Sequence, residues 1–188
     1  MAARVRMCAE KLGITPLFGN FFNFCVNAPR YDKGIRRVNC FPHVDWKNLA
    51  IFVCIVFVYG MLPNFSWELH GSSGFLGEFN SKEKSWLVIW EAGVIIELPP
   101  GVFVMYPSAL FCHFNVDMVL TESGERPTKG NSTPLDGADG RGSCVWFNQA
   151  SLFQTSELGV DTAANAKEQG LGTECDARGL IEKGLFPI

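Results

Sequence analysis

The sequence predicts a mainly β domain with a minor helical part, α+β in class, folded as a double-stranded β-helix, the jelly-roll or cupin-like barrel. Three observations lead there. Short apolar runs recur between clusters of Gly, Pro, Asn and Ser, a rhythm of strands and turns. Helical signals are confined to the tail. His43-Val44-Asp45 lies near the start of one extended stretch and His113 within another, and a jelly roll gathers side chains from distant strands at one mouth.

Residues 1 to 42 read as an irregular N-terminal segment. Pro16, Gly19, Pro29, Gly34 and Pro42 punctuate it, and Phe18, Phe21, Phe22 and Phe24 form an aromatic patch suited to packing on a sheet. Residues 43 to 160 are expected to form the barrel. Leu49 to Tyr59 is apolar, β-branched and aromatic, which predicts a strand buried on both faces. Residues 61 to 77 lack periodicity and read as an insertion, within a loop extending to about residue 84. Trp86 to Trp90 and Val94 to Leu98 flank Glu91-Ala92-Gly93, the pattern of a hairpin. Pro99-Pro100-Gly101 turns the chain into a strand over Val102 to Tyr106; Pro107-Ser108 breaks it before Ala109 to Val116. Residues 121 to 140 read as a polar loop and Gly142 to Ala150 as a further strand. In the tail, 161 to 188, a helix is expected around Thr162 to Gln169, stopped by Gly170.

At 188 residues the chain has room for one domain with a sizeable core, and 47% hydrophobic residues with 16 Phe imply extensive burial. A net charge of -3 excludes a general electrostatic attraction to nucleic acid, so any such contact must be local. Arg30, Lys33, Arg36 and Arg37 come nearest to a basic patch and read as a solvated loop. The 7 cysteines are odd in number, widely spaced and without a C-x-x-C pair, which indicates neither a disulfide framework nor a zinc site. That usage, with no apolar signal segment after the first residues, predicts an intracellular protein, cytoplasmic or nuclear. Leu49 to Leu62 is apolar enough to raise a membrane span as an alternative, but a span needs about 20 such residues. Pro63 and Asn64 interrupt this one.

Singly, the candidate site residues have plain explanations. His43 is a surface loop histidine, Asp45 a turn residue and His113 a core histidine. Together they are two imidazoles and one carboxylate, the set that holds Fe(II) on one face and leaves the other positions open for a co-substrate and oxygen. His43 and Asp45 alternate with one residue between them, so on extended backbone both point the same way. A second pattern is Arg141-Gly142-Ser143, where a guanidinium and a hydroxyl share a strand face and suit the distal carboxylate of a dicarboxylic acid. Arg126 is the rival anchor, in a polar loop before Pro127. Asn115, two past His113, is a further candidate to orient that histidine or line the pocket. His70, the remaining histidine, has no partner motif.

The strings HVDWKNLA, SWLVIWEAGVIIELPPGVFVMYPSALFCHFNVD and RGSCVWFNQASLFQTSEL resemble a group of fungal proteins carrying a 2-oxoglutarate and Fe(II)-dependent dioxygenase-like double-stranded β-helix. That group is similar in layout to the TET/JBP enzymes, which oxidise a methyl group on a base in DNA. The resemblance covers about residues 40 to 160. It implies that His43, Asp45 and His113 ligate iron, that Arg141 with Ser143 anchors 2-oxoglutarate, that O2 is the second co-substrate, and that a modified base in nucleic acid is the substrate. The chain departs from the layout in three respects. Little precedes His43, which predicts a barrel shortened at its N-terminal side; residues 61 to 77 are extra; and the path from His113 to Arg141 is long. These departures carry the alternative of a non-catalytic cupin-like remnant or binding domain.

Overall fold

Arg141–Phe147 is the strand around which the larger sheet is built. In the computed structural model, which describes residues 2–60, 79–121, 128, 130–134, 140–160 and 162–171, the strands in chain order are β1 (Asn23–Asn27), β2 (Cys54–Gly60), β3 (Trp86–Ile89), β4 (Val94–Ile96), β5 (Phe103–Tyr106), β6 (His113–Val116), β7 (Val119–Thr121), β8 (Ser132–Pro134) and β9 (Arg141–Phe147). Three helices, α1 (Ala2–Leu12), α2 (Ala150–Leu158) and α3 (Ala163–Glu168), and a 3-10 turn (Tyr31–Lys33) complete the described elements.

The strands form a four-stranded sheet in the order β1-β9-β2-β5, a three-stranded sheet in the order β4-β3-β6 and the β7-β8 ribbon, all antiparallel. One hydrophobic cluster draws Cys54, Val58 and Tyr106 from the larger sheet and Leu87 and Ile89 from the smaller. The two sheets therefore pack on each other, each turning alternate residues inward. Along β9 the inward side chains are those of Arg141, Ser143, Val145 and Phe147, each of which lines the space between the sheets. Gly142 faces the other way, against Tyr59, its cross-strand partner. A Cβ at Gly142 would stand 2.2 Å from Tyr59 Cζ, and the Tyr59 hydroxyl donates to Asn27 O at 3.0 Å. Glycine is required there because a ring crosses the strand.

The expected hairpin forms, with Leu87 opposite Ile96 and Ile89 opposite Val94. Gly93 closes its turn at φ +63°. The apolar run from Leu49 becomes a strand only from Cys54, in the interior of the larger sheet between β5 and β9. A helical membrane span is excluded for that stretch, and among the described residues no helix is long and apolar enough to cross a membrane. Thr162 caps α3 by accepting from Asn165 N at 3.1 Å, and Gly170 follows at φ +69°, as the sequence predicts.

Residues 1 to 42 are more regular than their punctuation suggests. In α1, Val5, Cys8, Ala9 and Leu12 form one apolar stripe and pack with Phe22, Phe52 and Phe153 in a second cluster beneath the sheet edge. Helix α2, which the sequence reading did not contain, supplies Phe153, and Arg4 binds Glu157 across the helix pair. Strand β1 adds to the larger sheet beside β9. At the entry to the expected polar loop 121 to 140, Val119 to Thr121 pairs with Ser132 to Pro134 inside it. The expected insertion 61 to 77, His70, Arg126, and the tail beyond residue 171 lie outside the described residues.

Residues 36 to 43 cross between the sheets as an irregular strap. Gly140 N donates to Arg36 O at 2.7 Å and Val38 N to Arg141 O at 2.9 Å, on the side of β9. Asn115 N donates to Cys40 O at 3.0 Å, and His43 and His113 exchange both backbone hydrogen bonds, on the side of β6. Arg37 binds Asp117, which also accepts from Ser85 N at 2.9 Å. The strap lacks a strand pattern because its partners alternate between two sheets.

Candidate metal centre

The strap delivers His43, and Asp45 just beyond its end, to His113. The exchange of backbone bonds sets the two histidines directly opposite one another, with ring centroids 4.3 Å apart. Asp45 follows two residues later, its N–H donating to Ser108 O at 2.9 Å. One ligand atom from each of the three residues lies within 4.8 Å of the others. His43 Nε2 stands 3.5 Å from Asp45 Oδ1, and His113 Nε2 stands 4.0 Å from Asp45 Oδ2. Adjacent ligands on one ion are about 3 Å apart when each bond is about 2.1 Å, so the three donors stand somewhat wider than a bound ion would hold them.

The imidazoles are held in the ligating tautomer. His43 Nδ1 lies 2.7 Å from Phe41 O and His113 Nδ1 lies 3.0 Å from Phe111 O. A carbonyl only accepts, so in the neutral ring each Nδ1 carries the hydrogen and each Nε2 presents a lone pair. That outer contact is the usual support of a metal-bound histidine. His113 is buried, and burial pushes its pKa below the ordinary value, with His43 nearby acting in the same direction against the Phe111 hydrogen bond. It is neutral at neutral pH, the form that binds a cation. Asn48 Nδ2 donates to Asp45 Oδ2 at 3.3 Å and to Ser108 Oγ at 3.2 Å, which orients the carboxylate.

A cavity of about 380 Å³ joins the three ligand residues to Arg141 and Ser143. Arg141 is 3% exposed. Its Nη1 donates to Val38 O, its Nε has no hydrogen-bond partner, and among the described residues no carboxylate pairs with it. Burial holds its pKa down at about 10, against the opposing influence of Cys40 and Tyr106, so it stays charged at neutral pH. A buried cation with an orphaned donor is costly unless an anion meets it. Ser143 Oγ accepts from Asn27 Nδ2 at 3.2 Å, which leaves the serine's own hydrogen for another acceptor.

The structure thus brings His43, Asp45, His113, Arg141 and Ser143 to one cavity. Asn115 also lines it, but its amide is engaged elsewhere: Oδ1 accepts from Cys40 N at 2.9 Å and Nδ2 donates to Ser85 O at 3.2 Å. Asn115 therefore fastens the strap to β6 and makes no hydrogen bond to the His113 ring. Tyr106 and Asn27 are among the lining residues that the sequence does not mark. Tyr106 stands edge-on to His113, with centroids 5.1 Å apart, its phenol pushed far up by burial. Asn27 reaches the site from β1. Neither bears a local motif; only the cross-strand pairs Cys54 with Tyr106 and Asn27 with Ser143 place them.

No protein-family model and no curated protein matches the chain. Among solved structures it is a distant neighbour of NgTET1 in complex with 5mC DNA, with a TM-score of 0.39 and 17% sequence identity over 88% of this chain and 49% of that one. The chain spans about half the length of that neighbour.

Proposed function

We propose that this chain is an Fe(II)/2-oxoglutarate-dependent dioxygenase-like protein on a jelly-roll framework. One observation carries the reading: a two-histidine, one-carboxylate cluster, with each Nδ1 facing a carbonyl, shares a cavity with a buried arginine that pairs with no carboxylate among the described residues. The donor set suits Fe(II), and the orphaned guanidinium beside a serine hydroxyl suits the far carboxylate of 2-oxoglutarate. Bound there, iron and 2-oxoglutarate would activate O2 for oxidation of a substrate C–H bond.

The chain's own residues have separable roles in this reading. His43, Asp45 and His113 hold the ion, with Asn48 and the carbonyls of Phe41 and Phe111 fixing their orientation. Arg141 and Ser143 bind and orient the co-substrate, with Asn27 aiming the serine hydrogen. Tyr106 and the apolar walls formed by Leu87, Leu98 and Val145 restrict water. The family-like strings extend the proposal to a modified base in nucleic acid as substrate. The exposed rings of Phe41 and Trp46, which flank the ligands in sequence, are surfaces on which a planar base would stack.

The test is anaerobic titration of the purified chain with Fe(II) and 2-oxoglutarate. A weak visible charge-transfer band that is absent in His113→Ala supports the reading. No band, and no difference between the two proteins, leaves the non-catalytic cupin-like domain. A band without O2-dependent conversion of 2-oxoglutarate to succinate indicates a binding domain that has kept its site and lost turnover.

A further inference from the structure

The larger sheet has a second face, turned away from the cavity. Phe24, Trp146, Ile55 and Met105 form one row across its four strands, and Val26, Cys144, Phe57 and Phe103 form the next. An antiparallel sheet with one wet face carries polar residues there; these two rows carry none. Four of these eight side chains are open to solvent, Met105 at 65%, Phe103 at 60%, Val26 at 50% and Phe24 at 37%, with Phe18 beside them at 41%; Ile55, Phe57, Cys144 and Trp146 are half-buried. They form a continuous surface, since Phe18 stacks on Phe24 at 4.8 Å, Phe24 on Trp146 at 5.1 Å, and Trp146 reaches Phe103 at 6.2 Å.

At roughly 200 Å² for a fully exposed large apolar side chain, those five exposures amount to on the order of 500 Å² per molecule. That lies at the upper end of what a monomer leaves in water. Two such faces in contact remove about 1,000 Å² from solvent before any rim is counted, the size at which a specific protein interface becomes stable.

We propose that this face is the contact between two copies of the chain, packed sheet on sheet about a two-fold axis. A two-fold contact sets the face against a copy of itself, so a charge near the axis would meet its own like. Neither row contains one. A lipid surface would call for Lys or Arg beside the apolar side chains, and a charged protein partner for a complementary ion; the two rows offer neither. Flat β faces stack about 10 Å apart with interleaved side chains, and the rings and Met105 supply the relief for that interleaving.

The test is sedimentation velocity on the full chain at about 1 to 100 µM, the range of a micromolar dimer. The wild-type chain is expected to pass from monomer to dimer. Phe103→Glu with Met105→Glu is expected to remain monomeric, with an unchanged circular dichroism spectrum. Trp90→Glu, at a side chain 67% exposed in the hairpin turn after β3, is expected to dimerise as wild type does. Should the double variant misfold, Val26→Lys on the edge strand replaces it, with the same monomeric outcome expected. A wild-type chain that stays monomeric throughout overturns the proposal. So does a folded face variant that still dimerises, or a Trp90→Glu chain that has lost its dimer.

Discussion

Replacing Arg141 by Met should move stability and co-substrate affinity in opposite directions. Holding the guanidinium in the folded chain with a pKa near 10 corresponds to a penalty of roughly 3 kcal/mol relative to the unfolded chain. The sign follows from the folded value lying below the unfolded one: the penalty is present throughout neutral pH and is relieved only as pH climbs past about 10. Met fills a similar length with apolar atoms, so it removes the penalty and forfeits the hydrogen bond to Val38 O, worth about 1 kcal/mol. The ligand-free variant should therefore be more stable by about 2 kcal/mol, or some 4 to 8 °C in Tm for a domain of this size. Its affinity for 2-oxoglutarate should fall at least ~30-fold, since removing one partner of a buried charge pair costs about 2 to 5 kcal/mol. Urea unfolding with an unchanged m-value measures the first effect, and calorimetric titration in the presence of Mn(II) the second. A variant that is less stable than wild type and binds 2-oxoglutarate equally well would refute the assignment of Arg141 as a cation held in wait for an anion.

Gly142→Ala should lower the urea midpoint, because the new methyl group meets Tyr59, whose ring is buried and tied through its hydroxyl to Asn27. Overpacking of this kind costs about 1 to 3 kcal/mol, and an unchanged midpoint would show that the ring is not wedged. Asn27→Asp should weaken 2-oxoglutarate at least ~10-fold while leaving Mn(II) affinity as it was, by setting a negative charge beside Ser143; the measurement is the same titration, and equal weakening of both ligands would mean a general collapse of the site. Asn48→Ala should loosen the metal about 10-fold through the freed Asp45 carboxylate, read by equilibrium dialysis. Retention of full affinity would remove Asn48 from the site's support.

The parts of the site that were legible in the sequence are those set by local alternation. His43 and Asp45 share a side because one residue separates them, and Arg141 and Ser143 do so on β9 for the same reason. The hairpin around Gly93 was legible because both its strands are β-branched and its turn holds a glycine. What failed was contextual. Helix α1 carries the i, i+3, i+4, i+7 stripe of Val5, Cys8, Ala9 and Leu12, yet its modest apolarity is masked by the prolines and glycines that follow. Helix α2 starts without a side-chain cap at Gln149, so nothing marks its beginning. Asn27, Tyr106 and Asn48 enter the site through register and long-range packing, which leave no trace in spacing along the chain.

The strap has a consequence for how metal and fold depend on each other. Of the three residues proposed to hold the ion, His43 ends the strap and Asp45 follows it, on a segment held by a handful of hydrogen bonds to two separate sheets, while His113 is embedded in the core. An ion bridging them would work as a clasp across the seam, and its binding free energy would oppose local opening by RT ln(1 + [M]/Kd). Arg36 and Arg37 lie within the strap, so trypsin becomes a reporter of the clasp: chelation should hasten cleavage there, and Mn(II) should slow it, with the rest of the chain digested at an unaltered rate.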